Sequence, residues 1–219
     1  MYYTEDMRQT FIHKWRTWAA NTWWKGLRYE FYVRRHRLDL GFVPVDRLGL
    51  SRDGSTGHSN SGGPHLDHVL RTLPITESDS VLDLGCGKGG AMITLRKYRF
   101  DRVDGLDISP EMIHIAEENF RRLGMLNVRV YCADAESFQD YDEYTYLYMF
   151  NPFTCGVVEK VLANILKSLD RRPRTLTIIY CNPVCGDALM STGRFEKTAE
   201  FRHVRWMPIF VYKSCDRID

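Results

Sequence analysis

The sequence predicts an α/β protein built on a mostly parallel β-sheet, and three observations predict it. From Ser80 onward, short apolar runs alternate with stretches of helical spacing, the pattern of βαβ units joined by right-handed crossovers. The first of these runs, Val81-Leu82-Asp83-Leu84, breaks into four glycines within six residues (Gly85, Gly87, Gly89, Gly90), and Ala91 to Leu95 then resumes at helical spacing. The last part of the chain carries two β-rich runs, 195–204 and 209–212, with no helix between them, which fit an antiparallel hairpin at a sheet edge.

The elements follow in order. Residues 1–50 form an aromatic-rich extension holding Trp15, Trp18, Trp23 and Trp24 among Lys14, Arg16, Lys25, Arg28, Arg34 and Arg35. Phe11, Trp15 and Trp18 share a helical face, as do Trp24, Leu27 and Phe31, which predicts one or two amphipathic helices. Such a face serves as a lid on the following domain, as a substrate-gripping or homodimerising surface, or as a membrane-surface or nucleic-acid helix. Residues 51–64 are a turn-rich loop, long enough to be functional or a flexible linker. The domain proper spans 65–219. A helix from His65 to Leu73 is opened by Pro64 and stopped by Pro74. Strands are expected at 80–84, 102–108, 127–132, 144–150 and 174–181. Ser109, Pro110 and Glu111 supply an N-cap, a first-turn proline and an acidic first turn for a helix to about Leu123, and a further helix covers 157–169.

Composition bounds the rest. At 44% hydrophobic and 26% charged residues the chain has a globular composition, and a net charge of +2 selects no class of partner. No apolar run reaches membrane-spanning length and the N-terminus lacks a signal-peptide core, so the expectation is a cytoplasmic protein without a transmembrane segment. The six cysteines fall in strand-like or turn runs and read as reduced. The pair Cys181 and Cys185 lacks an obvious second pair of zinc ligands, so no metal is expected.

The glycine turn is where chemistry is expected. Glycines permit backbone angles that a Cβ forbids and let a ligand touch the main chain, while the helix starting near Gly89 turns its free N–H groups toward the turn. Gly85, Gly87 and Gly90 also fit a dinucleotide fingerprint. Asp83 argues otherwise: a carboxylate two residues before the first glycine suits a cationic amino group rather than a pyrophosphate. In an open α/β sheet ligands sit outside the carboxyl ends of the strands. Asp107, at the end of the second strand, is placed to accept the hydroxyls of a ribose, or else to cap the next helix. Asp134, after the third strand, is placed to accept from an adenine amine with the backbone of Ala135 beside it, or else is a turn aspartate.

The run Leu82-Asp83-Leu84-Gly85-Cys86-Gly87-Lys88-Gly89 resembles the first motif of class I S-adenosylmethionine-dependent methyltransferases. The resemblance extends over residues 65 to 213, and implies a Rossmann-like, seven-stranded sheet ending in an antiparallel hairpin. It implies S-adenosyl-L-methionine as cofactor and S-adenosyl-L-homocysteine as product, held by Asp83, Gly85, Cys86, Gly87, Lys88, Gly89, Asp107, Ile108, Asp134, Ala135 and Asn151. Phe150-Asn151-Pro152-Phe153 resembles the Asn/Asp-Pro-Pro-Tyr/Phe motif of amino methyltransferases, with one proline where that motif has two. This makes Asn151 a candidate catalytic residue and favours transfer to nitrogen on a small molecule or a protein side chain. Asn151-Pro152 also has a plain reading as a strand end. In this family the segment before the first strand often folds over the cofactor, which makes His58 a candidate catalytic base, with Ser59 and Asn60 beside it. The sequence is also similar to bacterial class I methyltransferases of unassigned acceptor and, loosely, to seven-stranded protein-lysine methyltransferases. The competing readings are an O-methyltransferase, an NAD-dependent oxidoreductase and a non-catalytic scaffold of the same fold. A nucleic-acid acceptor is disfavoured because no long basic stripe interrupts the domain.

Overall fold

The computed structural model describes residues 24–43, 59–202 and 207–215. The chain divides into two compact units, Met1–Leu38 and Asp39–Asp219. In the first, helix α1 (24–35) ends where Arg37 takes a positive φ of 53° and Leu38 N–H donates to the Val33 carbonyl at 3.0 Å. Trp24, Leu27 and Phe31 of α1 are exposed.

The second unit is a seven-stranded sheet in the order β3-β2-β1-β4-β5-β7-β6. Its strands are β1 (Ser80–Leu84), β2 (Arg102–Asp107), β3 (Val128–Cys132), β4 (Tyr146–Phe150), β5 (Thr177–Cys181), β6 (Phe195–Phe201) and β7 (Ile209–Ser214). The first five pair in parallel, β7 runs antiparallel to β5, and β6 pairs antiparallel with β7, so the predicted hairpin is present at the edge. The order turns outward in both directions from β1 and β4, which puts the topological switch at their carboxyl ends.

The interleaved helices are α2 (Pro64–Leu70), α3 (Gly90–Leu95), α4 (Pro110–Arg122), α5 (Cys155–Arg171) and α6 (Gly186–Ser191), with a 3₁₀ turn at Asp140–Glu143. Helix α4 starts as its sequence dictates: the Ser109 hydroxyl accepts from Met112 N–H at 3.4 Å, and Pro110 stands at the first position. Helix α5 buries Val158, Val161, Leu162, Ile165 and Leu169 at helical spacing. These residues pack on Leu82, Leu84, Leu147, Met149, Ile178 and Tyr180, forming the main core on one face of the sheet. On the opposite face Met92 of α3 and Cys86 lie against Gly105, where an added Cβ would come within 2.5 Å of the Met92 sulfur. Asp83 and Tyr148 belong to this second face.

Cys155 and Cys185, expected to be reduced, form a disulfide with a Cα–Cα separation of 5.4 Å. Strands β4 and β5 are neighbours, so the turns that follow them lie side by side and bring the two sulfurs together. Cys86, Cys132, Cys181 and Cys215 are free thiols, so Cys181 and Cys185 are not a thiolate pair. Among the described residues no group of His, Cys, Asp or Glu is arranged to hold a metal ion, and no helix is long and apolar enough to cross a membrane.

Candidate functional site

The glycine turn is braced from the end of β2. Gly85, Gly87 and Gly89 adopt φ values of 75°, 51° and 79°, the left-handed region that favours glycine. The N–H groups of Gly85 and Cys86 both donate to the Leu106 carbonyl at 2.9 Å. Gly87 N–H donates to Asp107 Oδ2 and Ser109 N–H to Asp107 Oδ1, each at 2.9 Å. Asp107 therefore ties the turn to the start of α4, and these two amides lower its pKa against a larger upward push from burial. A Cβ at Gly89 would collide with the ring of Phe120, and one at Gly85 would sit 2.5 Å from the Cβ of Pro152.

Asp83 lies beneath the turn, 2% exposed, and its Oδ2 has no hydrogen-bond partner. Burial, with Asp107 nearby, holds its carboxyl well above the ordinary carboxylate range. The same burial, with Asp83 and Asp107 adding to it, pushes the Cys86 thiol up, so it is not a nucleophile poised for reaction. A buried carboxylate oxygen without a partner, next to a turn that only glycine can form, fits a ligand carrying a cationic amino group.

Lys88 is also buried, and its Nζ meets Asp39 Oδ1 at 2.5 Å. Asn119 of α4 completes this anchor. Its Oδ1 accepts Asp39 N–H at 2.9 Å, and its Nδ2 donates to the carbonyls of Asp39 at 2.9 Å and Lys88 at 3.0 Å. The side chain of Lys88 thus holds the segment preceding the loop, and only its backbone faces the turn's role as a cradle. Asp39 and Asn119 escaped the sequence reading. Asn119 left one trace, a carboxamide beside Ala116 and Phe120 on the apolar face of α4.

The other predicted residues lie at the carboxyl ends of the strands. Ile108 follows β2 and is 43% exposed. After β3, Asp134 Oδ1 accepts Glu136 N–H at 2.9 Å, an Asx turn that leaves the residue exposed while Ala135 is buried. Asn151 follows β4 with a positive φ of 37°. Asn182 follows β5 in the same way, with φ 51°. The disulfide joins the turns behind these two asparagines. Pro152 packs on Gly85, so the Asn-Pro turn abuts the glycine turn directly. Upstream, Asn60 Oδ1 accepts Gly62 N–H at 2.9 Å and packs against Gly90, and Gly63 N–H donates to Thr94 Oγ1 at 2.7 Å. Residues 59–63 therefore close over the start of α3. His58 lies outside the described residues.

This strand order with a glycine turn after β1 defines the class I methyltransferase fold, and comparison with known proteins agrees. Residues 81–172 match the family described as "Methyltransferase domain". The 23S rRNA (uracil(1939)-C(5))-methyltransferase RlmD of Aliivibrio fischeri is 27% identical over 144 residues, covering 65% of this chain and 31% of that protein. The RlmD of Aeromonas salmonicida is 31% identical, covering 67% and 32%. The malonyl-[acyl-carrier protein] O-methyltransferase of a Marinomonas species is 39% identical over 72 residues, covering 32% and 26%. The chain thus spans about a third or less of the length of these relatives. Among solved structures, an RNA methyltransferase from Salinibacter ruber in complex with S-adenosyl-L-homocysteine superposes with a TM-score of 0.57 at 17% identity, covering 70% of this chain and 92% of that one. An S-adenosylmethionine-dependent methyltransferase from Aquifex aeolicus gives 0.56 at 18%, covering 68% and 89%. Residues 81–172 thus match a methyltransferase domain, and the sheet shares its fold with S-adenosylmethionine-dependent methyltransferases.

Proposed function

We propose that the protein transfers a methyl group from S-adenosylmethionine to a nitrogen on a small molecule or a protein side chain. The observation that supports this reading is the packing of Pro152 on Gly85, by which the Asn151-Pro152 turn adjoins the glycine turn. When bound, the cofactor supplies an electrophilic methyl on a sulfonium. The chain's residues hold and aim. Asp83 would receive the α-ammonium group, Asp107 the ribose hydroxyls, and Asp134 the adenine amine beside the Ala135 backbone. The backbone from Gly85 to Gly89 would lie against the amino-acid end and Ile108 against the base.

Displacement at a sulfonium methyl needs a neutral lone pair in line with the breaking bond, so alignment of the acceptor is the main contribution the protein makes. The side-chain oxygen of Asn151 and the carbonyl of Pro152 are acceptors suited to orienting an amine and to stabilising the positive charge it gains. Residues 59–63 pack over the start of α3, and an acceptor would approach beside Asn151.

The experiment is transfer of labelled methyl from S-adenosylmethionine into a lysate fractionated into small molecules, protein and nucleic acid, with Asn151→Ala in parallel. Methyl found on nitrogen by mass spectrometry, in small molecules or protein, and lost with the variant, supports the reading. Methyl ethers or alkali-labile methyl esters would favour oxygen as the acceptor. Label confined to RNA would favour the acceptor named for the RlmD relatives.

A further inference from the structure

Asp83 does not stand alone at the floor of the site. The hydroxyl of Tyr148 is likewise buried without a hydrogen-bond partner, and the residue is 0% exposed. Buried polar groups are ordinarily satisfied, so two orphans together call for an explanation. Asp83 and Tyr148 are register partners on β1 and β4, which puts both side chains on the same face of the sheet, one strand apart. Ser61 and Cys181 are near enough to act on the Tyr148 hydroxyl as hydrogen-bonding groups, but neither meets it in hydrogen-bond geometry. Ser61 belongs to the segment closing over the start of α3. Cys181 ends β5, two residues beyond the register partner Ile179. The hydroxyl therefore lies toward the carboxyl ends of the strands, where the cofactor binds in this fold.

The two orphans differ in what they offer. Burial holds the Tyr148 phenol well above its usual pKa, so it stays neutral and donates. An ionised Asp83 can only accept. A neutral donor beside an anionic acceptor is complementary to the two charged groups of an amino acid.

We propose that Tyr148 is the second anchor for the amino-acid end of S-adenosylmethionine, its hydroxyl donating to the α-carboxylate while Asp83 receives the α-ammonium group. This rests on the cofactor assignment of the glycine turn and deepens it. The aromatic body of Tyr148 fills the sheet face as any core residue would, and the hydroxyl alone has the binding role.

Tyr148→Phe removes that hydroxyl and nothing else. Titration calorimetry is run on the wild type and the variant with two ligands: S-adenosylhomocysteine, and 5′-methylthioadenosine, which lacks the amino-acid end. The expected result is a loss of roughly tenfold or more in affinity for S-adenosylhomocysteine, with methylthioadenosine unchanged. The ligand-free variant is expected to melt close to the wild type, since neither Ser61 nor Cys181 forms a geometrically sound hydrogen bond with the hydroxyl. Equal losses for both ligands, or a loss for neither, would overturn the proposal. So would a lower melting temperature with S-adenosylhomocysteine affinity intact, which would make Tyr148 a structural residue. A wild type that binds neither nucleoside would overturn the cofactor site itself, and the proposal with it.

Discussion

Reducing the Cys155–Cys185 disulfide is the perturbation whose size follows most directly from the fold. The bond closes a loop whose ends are 30 residues apart, running from the start of α5 through β5 to the start of α6. Releasing that constraint in the unfolded chain corresponds to about 12 cal/mol/K, or about 3.6 kcal/mol at room temperature, by the loop-closure relation. For a chain of this size each kcal/mol moves the melting temperature by roughly 2–4 °C, so the drop should be roughly 7–14 °C. Cys155 is exposed and Cys185 buried, so the Cys155 sulfur is the one that solvent and reductant reach. Two assays bear on this. Thiol titration of the denatured, unreduced protein should find only the four thiols of Cys86, Cys132, Cys181 and Cys215, and calorimetric melting with and without dithiothreitol should show the drop. Six thiols before reduction, or melting curves that superimpose, would refute the reasoning. The double variant Cys155→Ser/Cys185→Ser should melt like the reduced protein.

Three further outcomes are expected. Gly85→Ala forces a side chain into a left-handed backbone position 2.5 Å from Pro152; it should cost about 1–3 kcal/mol in denaturant unfolding and weaken S-adenosylhomocysteine binding severely, whereas a variant of unchanged stability would contradict the turn geometry. Asp83 has a folded pKa raised by burial, so the unfolded chain ionises first as pH rises above 3.8, and stability falls until the folded carboxyl ionises as well. Asp83→Asn should remove that loss in a pH series of urea unfolding, and wild-type binding of S-adenosylhomocysteine should release protons, visible as buffer-dependent calorimetric heats; buffer-independent heats would count against the role. Asp39→Ala leaves the buried Lys88 ammonium without its carboxylate and should lower stability by about 1–3 kcal/mol; an unaltered unfolding midpoint would show the ion pair to be idle.

Much of this architecture is local information. The burial of Val81, Leu82 and Leu84 follows from their apolar run, and the start of α4 from Ser109 and Pro110, because strand periodicity and helix capping are read over a few residues. Helix α6 was missed because Gly186–Ser191 is a single short stretch with Leu189 its one buried large side chain. Strand β4 starts at Tyr146 although the aromatic run begins at Tyr144, whose hydroxyl instead donates to Asp104 at 2.8 Å. That contact also separates the tyrosines: in sequence Tyr144 and Tyr148 look alike, and only the packed sheet shows that one has a partner and the other none. The disulfide was hidden for a similar reason. Cys185 lies close in sequence to Cys181 and far from Cys155, and only the adjacency of β4 and β5 reverses that ranking. Asp39 and Asn119 meet across a sequence separation of 80, which no local pattern reports.

The account stands or falls on where a nucleoside binds. The decisive measurement is a crystal structure of the protein soaked with S-adenosylhomocysteine. The account predicts the amino-acid end against Asp83 and the Gly85 to Gly89 backbone, the ribose on Asp107, and the adenine beside Asp134 and Ala135. Density for the nucleoside away from these residues, or none at saturating concentration, would contradict it.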